Sequence, residues 1–153
     1  MSDTAATAQP NVGMPLQINA QYIKDLSFEN PRAPASLQPQ ETQPQISVNV
    51  DVSATRLAEN AEVFEVLLKI TAKATVNDTV LFLTDLSYAG LFTLKEIPED
   101  ALHPMLLIEC PRILFPFARA IVADTTRDGG FPPLLIQPVD FAAMYRQSQD
   151  PGS

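Results

Sequence analysis

Polar and apolar residues alternate along four stretches of the first two thirds of the chain. In the first stretch, for example, Leu26 and Phe28 share one parity while Asp25 and Ser27 share the other. Alternation with a period of two is the pattern of a β-strand that buries one face. We therefore predict four strands, which cover residues 16–29, 46–56, 62–76 and 79–94.

Local interruptions refine this pattern. Lys24 breaks the apolar row of the first strand and Ile23 breaks its polar row, which predicts a β-bulge or a strand edge there. Asn77-Asp78 has the composition of a two-residue hairpin turn, and Asn60 is predicted to lie in another turn. Gly90 is expected to allow a bend or a bulge in the fourth strand.

Residues 30–45 contain four prolines, which predict a long extended connection because proline fixes φ and donates no hydrogen bond. Connections of this length are uncommon in compact domains unless they are functional.

Helical signals begin at Pro98. Glu99 and Asp100 suit the first turn of a helix, where the helix dipole favours anions. Pro104 and Pro111 are expected to limit this first helical segment.

A second helix is predicted to begin near Pro111, since proline is tolerated in a first turn. Gly129-Gly130 is expected to end it. After a proline-rich connection over 131–138, Asp140 is expected to cap a short final helix. Apolar residues at helical spacing form the stripe of the second helix: Ile113, Leu114, Phe117, Ala118, Ile121 and Val122.

Strands followed by helices predict an α+β fold, in which helices pack on one face of a four-stranded antiparallel sheet. The long first connection permits a crossover. We expect one folded domain over 15–147, flanked by disordered tails over 1–14 and 148–153.

The composition suggests that one subunit has more apolar side chains than a fold of this size readily buries. Of 153 residues, 46% are hydrophobic and only 18% are charged, against the usual ~25% charged. A tightly packed monomer is one explanation. A subunit with an apolar interface or binding surface is the other.

The net charge of −8 and the few, scattered Lys and Arg residues argue against binding to nucleic acid or to an anionic membrane surface. An acidic surface instead attracts basic partners. With one cysteine, no signal-peptide pattern and no apolar run long enough to span a bilayer, the chain is expected to be cytoplasmic.

Candidate catalytic groups are sparse. His103 is the only histidine, and it lies in an apolar helical segment. Cys110 has apolar neighbours, which favour a buried inert thiol. Glu99 and Asp100 are better explained as helix-start charges than as a catalytic pair. We therefore expect no enzyme activity, no cofactor and no metal site.

Two surfaces remain as candidates for binding. Asp25, Ser27 and Glu29 share the outward-facing parity of the first strand. Two interpretations fit this face: a solvated sheet surface, or a docking site for a basic partner. Leu83 and Asp85 share a parity on the fourth strand, and a leucine beside carboxylates suits a protein contact.

The second surface is the proline-rich loop with Leu37, expected near Phe92, Leu94 and the helix. An apolar channel there could bind extended peptides, or these side chains could belong to the hydrophobic core. The residues predicted to bind such peptides are Leu37, Phe92, Leu94, Phe115 and Phe117.

Four segments resemble the SecB family of export chaperones. They are "YIKDLSFENPRAP" at 22–34, "FEVLLKITAKA" at 64–74, "CPRILFPFAR" at 110–119 and "GGFPPLLIQPVDF" at 129–141, and the resemblance extends over 16–146.

The resemblance implies a homotetramer, built as a dimer of dimers with helices between paired sheets. It implies binding of unfolded precursor proteins without ATP, so that they stay competent for translocation, and their delivery to the SecA motor of the Sec translocase. The alternative function is a non-catalytic oligomeric carrier of small apolar ligands.

The resemblance also assigns roles to residues. The SecA-docking positions of the family fall on Asp25, Ser27, Glu29, Leu83 and Asp85, although the family more often has Glu at the last of these. Positions linked to subunit association fall on Thr84, Leu86 and Tyr88, to which the helix stripe adds Ile113, Phe117 and Ile121. The C-terminal "QSQDPGS" is less acidic than in many relatives, so a second contact to SecA through the tail is expected to be weak.

Overall fold

The computed structural model describes residues 16–59 and 62–149, and in this part of the chain four strands form one antiparallel sheet. Each strand begins and ends within one residue of its predicted bounds: β1 is Leu16–Glu29, β2 is Gln45–Arg56, β3 is Val63–Val76 and β4 is Thr79–Leu94. The turn predicted at Asn60 and the tail predicted over 1–14 lie outside the described residues.

The strand order in the sheet is β1-β4-β3-β2. β2, β3 and β4 follow one another as hairpins, whereas β1 pairs with β4. The segment between β1 and β2 therefore crosses from one edge of the sheet to the other. This crossover loop carries one short 3₁₀ turn, Ala35–Leu37.

The turn between β3 and β4 has the predicted geometry. Asn77 and Asp78 have φ values of 51° and 66°. Positive φ at both central residues is typical of a type I′ turn, whose twist matches that of the strands.

The sheet is irregular at three places, of which the sequence indicated one. The pairing of β1 with β4 shifts at Asn19 and at Lys24, and the bulge predicted at Lys24 is thereby confirmed. The shift in β4 falls at Leu81, and the pairing is regular at Gly90, so no bulge lies there. Gly90 instead allows close packing, because a Cβ atom there would lie 2.9 Å from the Leu114 side chain.

One continuous helical run replaces the two predicted segments. It consists of α1 (Glu99–Pro104), a π-helical segment (Met105–Glu109) and α2 (Cys110–Asp128). As predicted, the first α-helix ends at Pro104 and the second has Pro111 in its first turn, but the π-helical segment joins them without a break. In the π-helical segment the Cys110 N–H donates to the Met105 carbonyl five residues back, and this wider turn relieves the clash that a proline ring causes in a regular α-helix.

The ends of the later helices follow the sequence. Gly130 adopts φ 95° after α2, and the N–H groups of Gly130 and Phe131 donate to the Arg127 and Thr126 carbonyls, as in a Schellman motif. The final helix, α3, is Phe141–Gln149, which extends into the predicted C-terminal tail. Its predicted cap is present, since Asp140 Oδ1 accepts a 3.0 Å hydrogen bond from the Ala143 N–H.

The main core lies between one face of the sheet and the helices, which confirms the α+β fold with a four-stranded antiparallel sheet. Every second residue of β3 is buried there, from Phe64 to Ala74. The buried residues of α2 that meet this face include Leu114, Ala118 and Val122.

Candidate functional site

The sheet face opposite the helices, which we call the outer face, brings together the five residues assigned to docking. Ser27 pairs with Asp85 and Glu29 pairs with Leu83 in the antiparallel register of β1 and β4. Residues directly opposite one another share a face. Asp25, two residues before Ser27, lies on the same face opposite Ser87.

The bulge at Lys24 sets this arrangement. Between Ile23 and Asp25 the register of β1 shifts by one residue relative to β4. Since side chains alternate between faces, an extra residue reverses which parity points outward. The apolar parity therefore faces the helices at Leu26 and Phe28 but faces outward at Tyr22.

Tyr22, Lys24 and Glu65 form a small polar cluster beside the bulge. The Tyr22 hydroxyl donates to Glu65 Oε2, and Lys24 Nζ lies 2.9 Å from Glu65 Oε1. The hydrogen bonds from Tyr22 and Lys24 lower the pKa of Glu65. Burial, together with the bond to this carboxylate, raises the pKa of Tyr22 to about 12. The cluster ties β1 to β3 across the outer face.

Asp85 is held in place by its neighbour on β3. The Thr71 hydroxyl donates a 2.6 Å hydrogen bond to Asp85 Oδ1, and the two residues are direct cross-strand partners. The carboxylate is therefore oriented before any partner arrives.

The strand positions assigned to subunit association face the helices. Thr84 and Leu86 are 0% and 1% exposed, because the chain's own helices cover that face, and the Thr84 hydroxyl donates to the Ser27 carbonyl at 3.0 Å. In the single subunit they therefore present no exposed surface, and their assignment to subunit association stays a prediction. Tyr88 is also buried, but its ring lies 6.5 Å from that of Phe117, which is half exposed.

Apolar side chains remain uncovered on the helix side of edge strand β1. Ile18 pairs with Phe92, Ile23 with Tyr88 and Leu26 with Leu86, which places all three on this side. Their exposed fractions are between 39% and 47%. We call Ile18, Ile23, Leu26 and the neighbouring Phe117 of α2 the β1 edge patch. The sequence did not indicate it, because the bulge reverses the parity at Ile23.

Most of the predicted client-binding set is not assembled into one site. Phe92 and Leu94 are buried core residues, at 0% and 3% exposed, and neither lines the groove described below. Phe115 packs edge-on against Phe141. Leu37 is exposed, but it lies against Gly130 at the end of α2 and not beside Phe92.

An apolar groove of about 290 Å³ lies instead at the other end of the sheet. Ile46, Ala74 and Phe82 are cross-strand neighbours on the helix side and form its floor. Gln43 and Pro44 of the crossover loop form one wall. The other wall is the proline-rich connection after α2: Phe131, Pro132, Pro133 and Leu134.

Aromatic stacking and hydrogen bonds fix the second wall. Phe131 packs on Phe82 with ring centroids 4.9 Å apart. The buried Thr126 hydroxyl accepts a 2.9 Å hydrogen bond from the Leu134 N–H. Arg119 Nε donates to the Ile136 carbonyl at 2.8 Å. The connection is thus attached to α2 along its length.

The crossover loop is attached to the same helix end by Asn30. Its side-chain amide donates to the Gly129 carbonyl at 3.2 Å, and its Oδ1 accepts a 2.6 Å hydrogen bond from the buried Ser36 hydroxyl. Both walls of the groove are therefore anchored near the end of α2.

Apolar surface continues from the groove along β2. Ile46 and Val48 are exposed on the helix side, and Val52 further along the strand lines two more hollows. In one of them Val52 lies with Leu107 and Met144. The other, of about 330 Å³, extends towards Phe64 and includes His103.

The groups that could have indicated catalysis are not assembled into a reactive site. His103 is exposed. Cys110 is fully buried, and burial, reinforced by the nearby charge of Glu109, raises the pKa of its thiol to about 12. No group of three or more metal-ligating side chains is found in residues 16–59 and 62–149. Within the same ranges, no helix is long and apolar enough to cross a membrane.

The fold and the sequence both match known proteins. A solved SecB-like chaperone of Mycobacterium tuberculosis, in complex with a ChAD peptide from the HigA1 antitoxin, aligns with a TM-score of 0.68 over 84% of this chain and 94% of that one. Its sequence identity is 17%, so this likeness concerns the fold.

Sequence relatives are much closer. "Protein-export protein SecB" of Rhodopseudomonas palustris (strain HaA2) is 56% identical, over 91% of this chain and 88% of the relative. The protein of the same name from Afipia carboxidovorans is 55% identical over 97% and 91%. The family model of SecB, the preprotein translocase subunit, matches residues 8–151. The chain therefore belongs to the SecB family.

Proposed function

We propose that this protein is an ATP-independent cytosolic chaperone, which binds unfolded precursor proteins, keeps them competent for translocation and delivers them to SecA. Membership of the SecB family supports the general role. The observation that carries the proposal for this chain is the apolar groove, which is open to solvent and continues as exposed apolar surface along β2.

The groove suits an extended, unfolded chain. From Ile46 to Ala54, β2 presents a line of apolar side chains, which spans roughly 25 Å at ~3.3 Å per residue. An extended segment can bury its own apolar residues along this line at ~25 cal/mol per Å². Folded proteins offer no such segment, so the groove selects non-native chains.

The β1 edge patch supports assembly into a homotetramer, a dimer of dimers. Exposed apolar side chains on an edge strand and an adjacent helix are typical of a surface that another subunit covers. Ile113 and Ile121 of α2 are partly buried and belong to the same helix as Phe117. Several grooves in one assembly strengthen binding to one client, because each further contact is intramolecular.

We propose the outer face as the SecA-docking surface, through Asp25, Ser27, Glu29, Leu83 and Asp85. It is separated from the groove by the thickness of the sheet, so a client and the motor can be bound together. Handover then needs no nucleotide hydrolysis by the chaperone itself.

The test is to add the purified protein to a chemically unfolded precursor, to follow refolding, and to measure the size of the complex. We expect slower refolding and a stable complex of an oligomer with the precursor. A protein that leaves refolding unchanged contradicts the proposal. A carrier of small apolar ligands, which the 290 Å³ groove could also serve, is distinguished by saturable binding of one compound without an effect on refolding.

A further inference from the structure

The outer face carries lysines beside its acidic residues. On β3, Lys69 is the cross-strand partner of Ser87, and Lys73 is the partner of Leu83. Thr71, which binds Asp85, lies between them. Both lysines are exposed, and among the described residues neither forms an ion pair.

The strand spacing gives this face a regular charge pattern. Neighbouring strands lie ~4.8 Å apart. The column of cations on β3 therefore runs ~5 Å from Asp85 on β4, and ~10 Å from Asp25 and Glu29 on β1. The two exposed cations of β3 thus lie between Asp51 on β2 and Asp85 on β4, and one strand further from Asp25 and Glu29 on β1.

Neither of these two cations forms an ion pair with another described residue of the sheet. Lys24 shows what a structural cation does on this face, since its Nζ lies 2.9 Å from the Glu65 carboxylate. Lys73 has Ser47 and Leu83 as its cross-strand neighbours, neither of which is acidic. Lys69 is opposite Asp51, yet the two do not form an ion pair.

A purely basic partner fits this surface poorly. If its cations cover Leu83 and Asp85, they lie next to Lys69 and Lys73, and like charges repel. A partner with an acidic side chain over β3 removes this repulsion and gains an attraction. We propose that the docking surface selects a partner segment of mixed charge, with basic groups over Asp25 and Glu29 and acidic groups over Lys69 and Lys73.

This inference rests on the proposed docking function and adds the chemical class of the partner segment. The lysines are then specificity residues, because they discriminate against chains that are only basic. Cationic segments of other proteins would otherwise be attracted to an acidic face.

The experiment measures the Kd of SecA for the intact oligomer at low and at physiological salt. The variants are Lys69→Gln, Lys73→Gln and the double variant. Lys95→Gln is the matched control, because Lys95 is exposed beyond the end of β4 and has the same charge. A Lys69→Arg/Lys73→Arg variant keeps both charges. Unfolding midpoints and oligomer size verify that each variant folds.

We expect the double Gln variant to raise the Kd roughly 3- to 10-fold, in line with the strength of exposed ion pairs, and less so at the higher salt concentration. Lys95→Gln and the double Arg variant are expected to bind as the unmodified protein does. An unchanged or lower Kd for the double Gln variant overturns the inference, since the lysines would then be neutral or would oppose a basic partner.

Charge reversal at Asp25 and Glu29 distinguishes failure of the docking surface from failure of the mixed-charge inference. If Asp25→Lys/Glu29→Lys abolishes docking while the Gln variants bind normally or more tightly, only the mixed-charge inference fails. If the unmodified protein does not bind SecA, or if the acid reversal has no effect, the proposed docking surface fails and the inference fails with it.

Discussion

Phe82 and Phe131 pack with ring centroids 4.9 Å apart and planes tilted by 52°. Phe82 belongs to the sheet floor of the groove and Phe131 to its proline-rich wall. Phe28 also packs on Phe82, with ring centroids 5.9 Å apart. This contact therefore joins floor and wall, and the shape of the groove depends on it.

Replacing Phe131 by Ala is expected to weaken client holding about ten-fold, since a large part of one aromatic side chain is lost from the binding surface. The measurement is the Kd for an unfolded precursor. Leu135→Ala is the matched control, because Leu135 is 57% exposed in the same connection and does not line the groove. Equal losses in both variants would contradict the assignment of the groove.

Charge reversal at Glu29 is expected to raise the Kd for SecA at least several-fold while client holding stays unchanged, because the two surfaces lie on opposite faces of the sheet. Glu59→Lys changes the net charge equally at an exposed position outside the strands, and it is expected to dock normally. Loss of both activities in Glu29→Lys would argue against separate surfaces.

The Asn30–Ser36 hydrogen bond is expected to stabilise the crossover loop. In a double-mutant cycle of Asn30→Ala and Ser36→Ala, we expect a coupling free energy of about 1 kcal/mol. Urea unfolding at fixed protein concentration gives this value, and hydrogen exchange of the loop amides shows whether the loop opens. A coupling near zero would mean that Asn30 acts through Gly129 alone.

The Glu65 cluster predicts a pH-dependent stability. Because the folded protein lowers the pKa of Glu65 from 4.5, its contribution is present above that value and is lost as the pH falls through the lower folded pKa. The stability difference between the unmodified protein and Glu65→Gln is expected to be about 1–2 kcal/mol at pH 7 and to shrink between pH 5 and pH 3.

Urea unfolding at four pH values in this range gives the difference directly. Tyr22→Phe is a useful companion, since it removes one donor and leaves the Lys24 ion pair. A difference that does not change with pH would show that Glu65 contributes through packing and not through its charge.

Cys110 is expected to react with a thiol reagent only when the protein unfolds. Its side chain is fully buried, and the pKa of about 12 leaves very little thiolate at pH 8. The reaction rate should rise with denaturant in parallel with unfolding. Rapid reaction under native conditions would contradict this burial.

Local sequence signals were sufficient to predict the four strands and the hairpin turn between β3 and β4. The alternation around Asp25 and Ser27 located β1, and Asn77-Asp78 located the hairpin, because each signal lies within the element that it specifies. Helix continuity was different. A π-helical segment accommodates Pro104 and Pro111, and nothing in the sequence around them distinguishes a continuous helix from a broken one.

The groove could not be predicted because its parts are distant in sequence. Ile46, Phe82 and Phe131 meet only after the crossover loop has carried the chain from β1 to the opposite edge of the sheet and α2 has packed on the sheet. Hydrophobic patterns label each as apolar but do not say which remain accessible. Phe92 shows the difficulty, since it has the same pattern as Phe82 and both are buried, yet only Phe82 lines the groove.

The additional residue in β1 at Lys24 has a consequence for sequence change in this strand. Deleting it would make Ile23 and Asp25 consecutive, and they already lie opposite the consecutive residues Tyr88 and Ser87, so Tyr22 and Ile23 would keep their faces and only the bulge would be lost. Deleting a regularly paired residue such as Ser27 would instead turn one part of the strand over relative to the other, because side chains alternate between faces. The loss of one amino acid is thus compatible with both surfaces at this position but not at its neighbours.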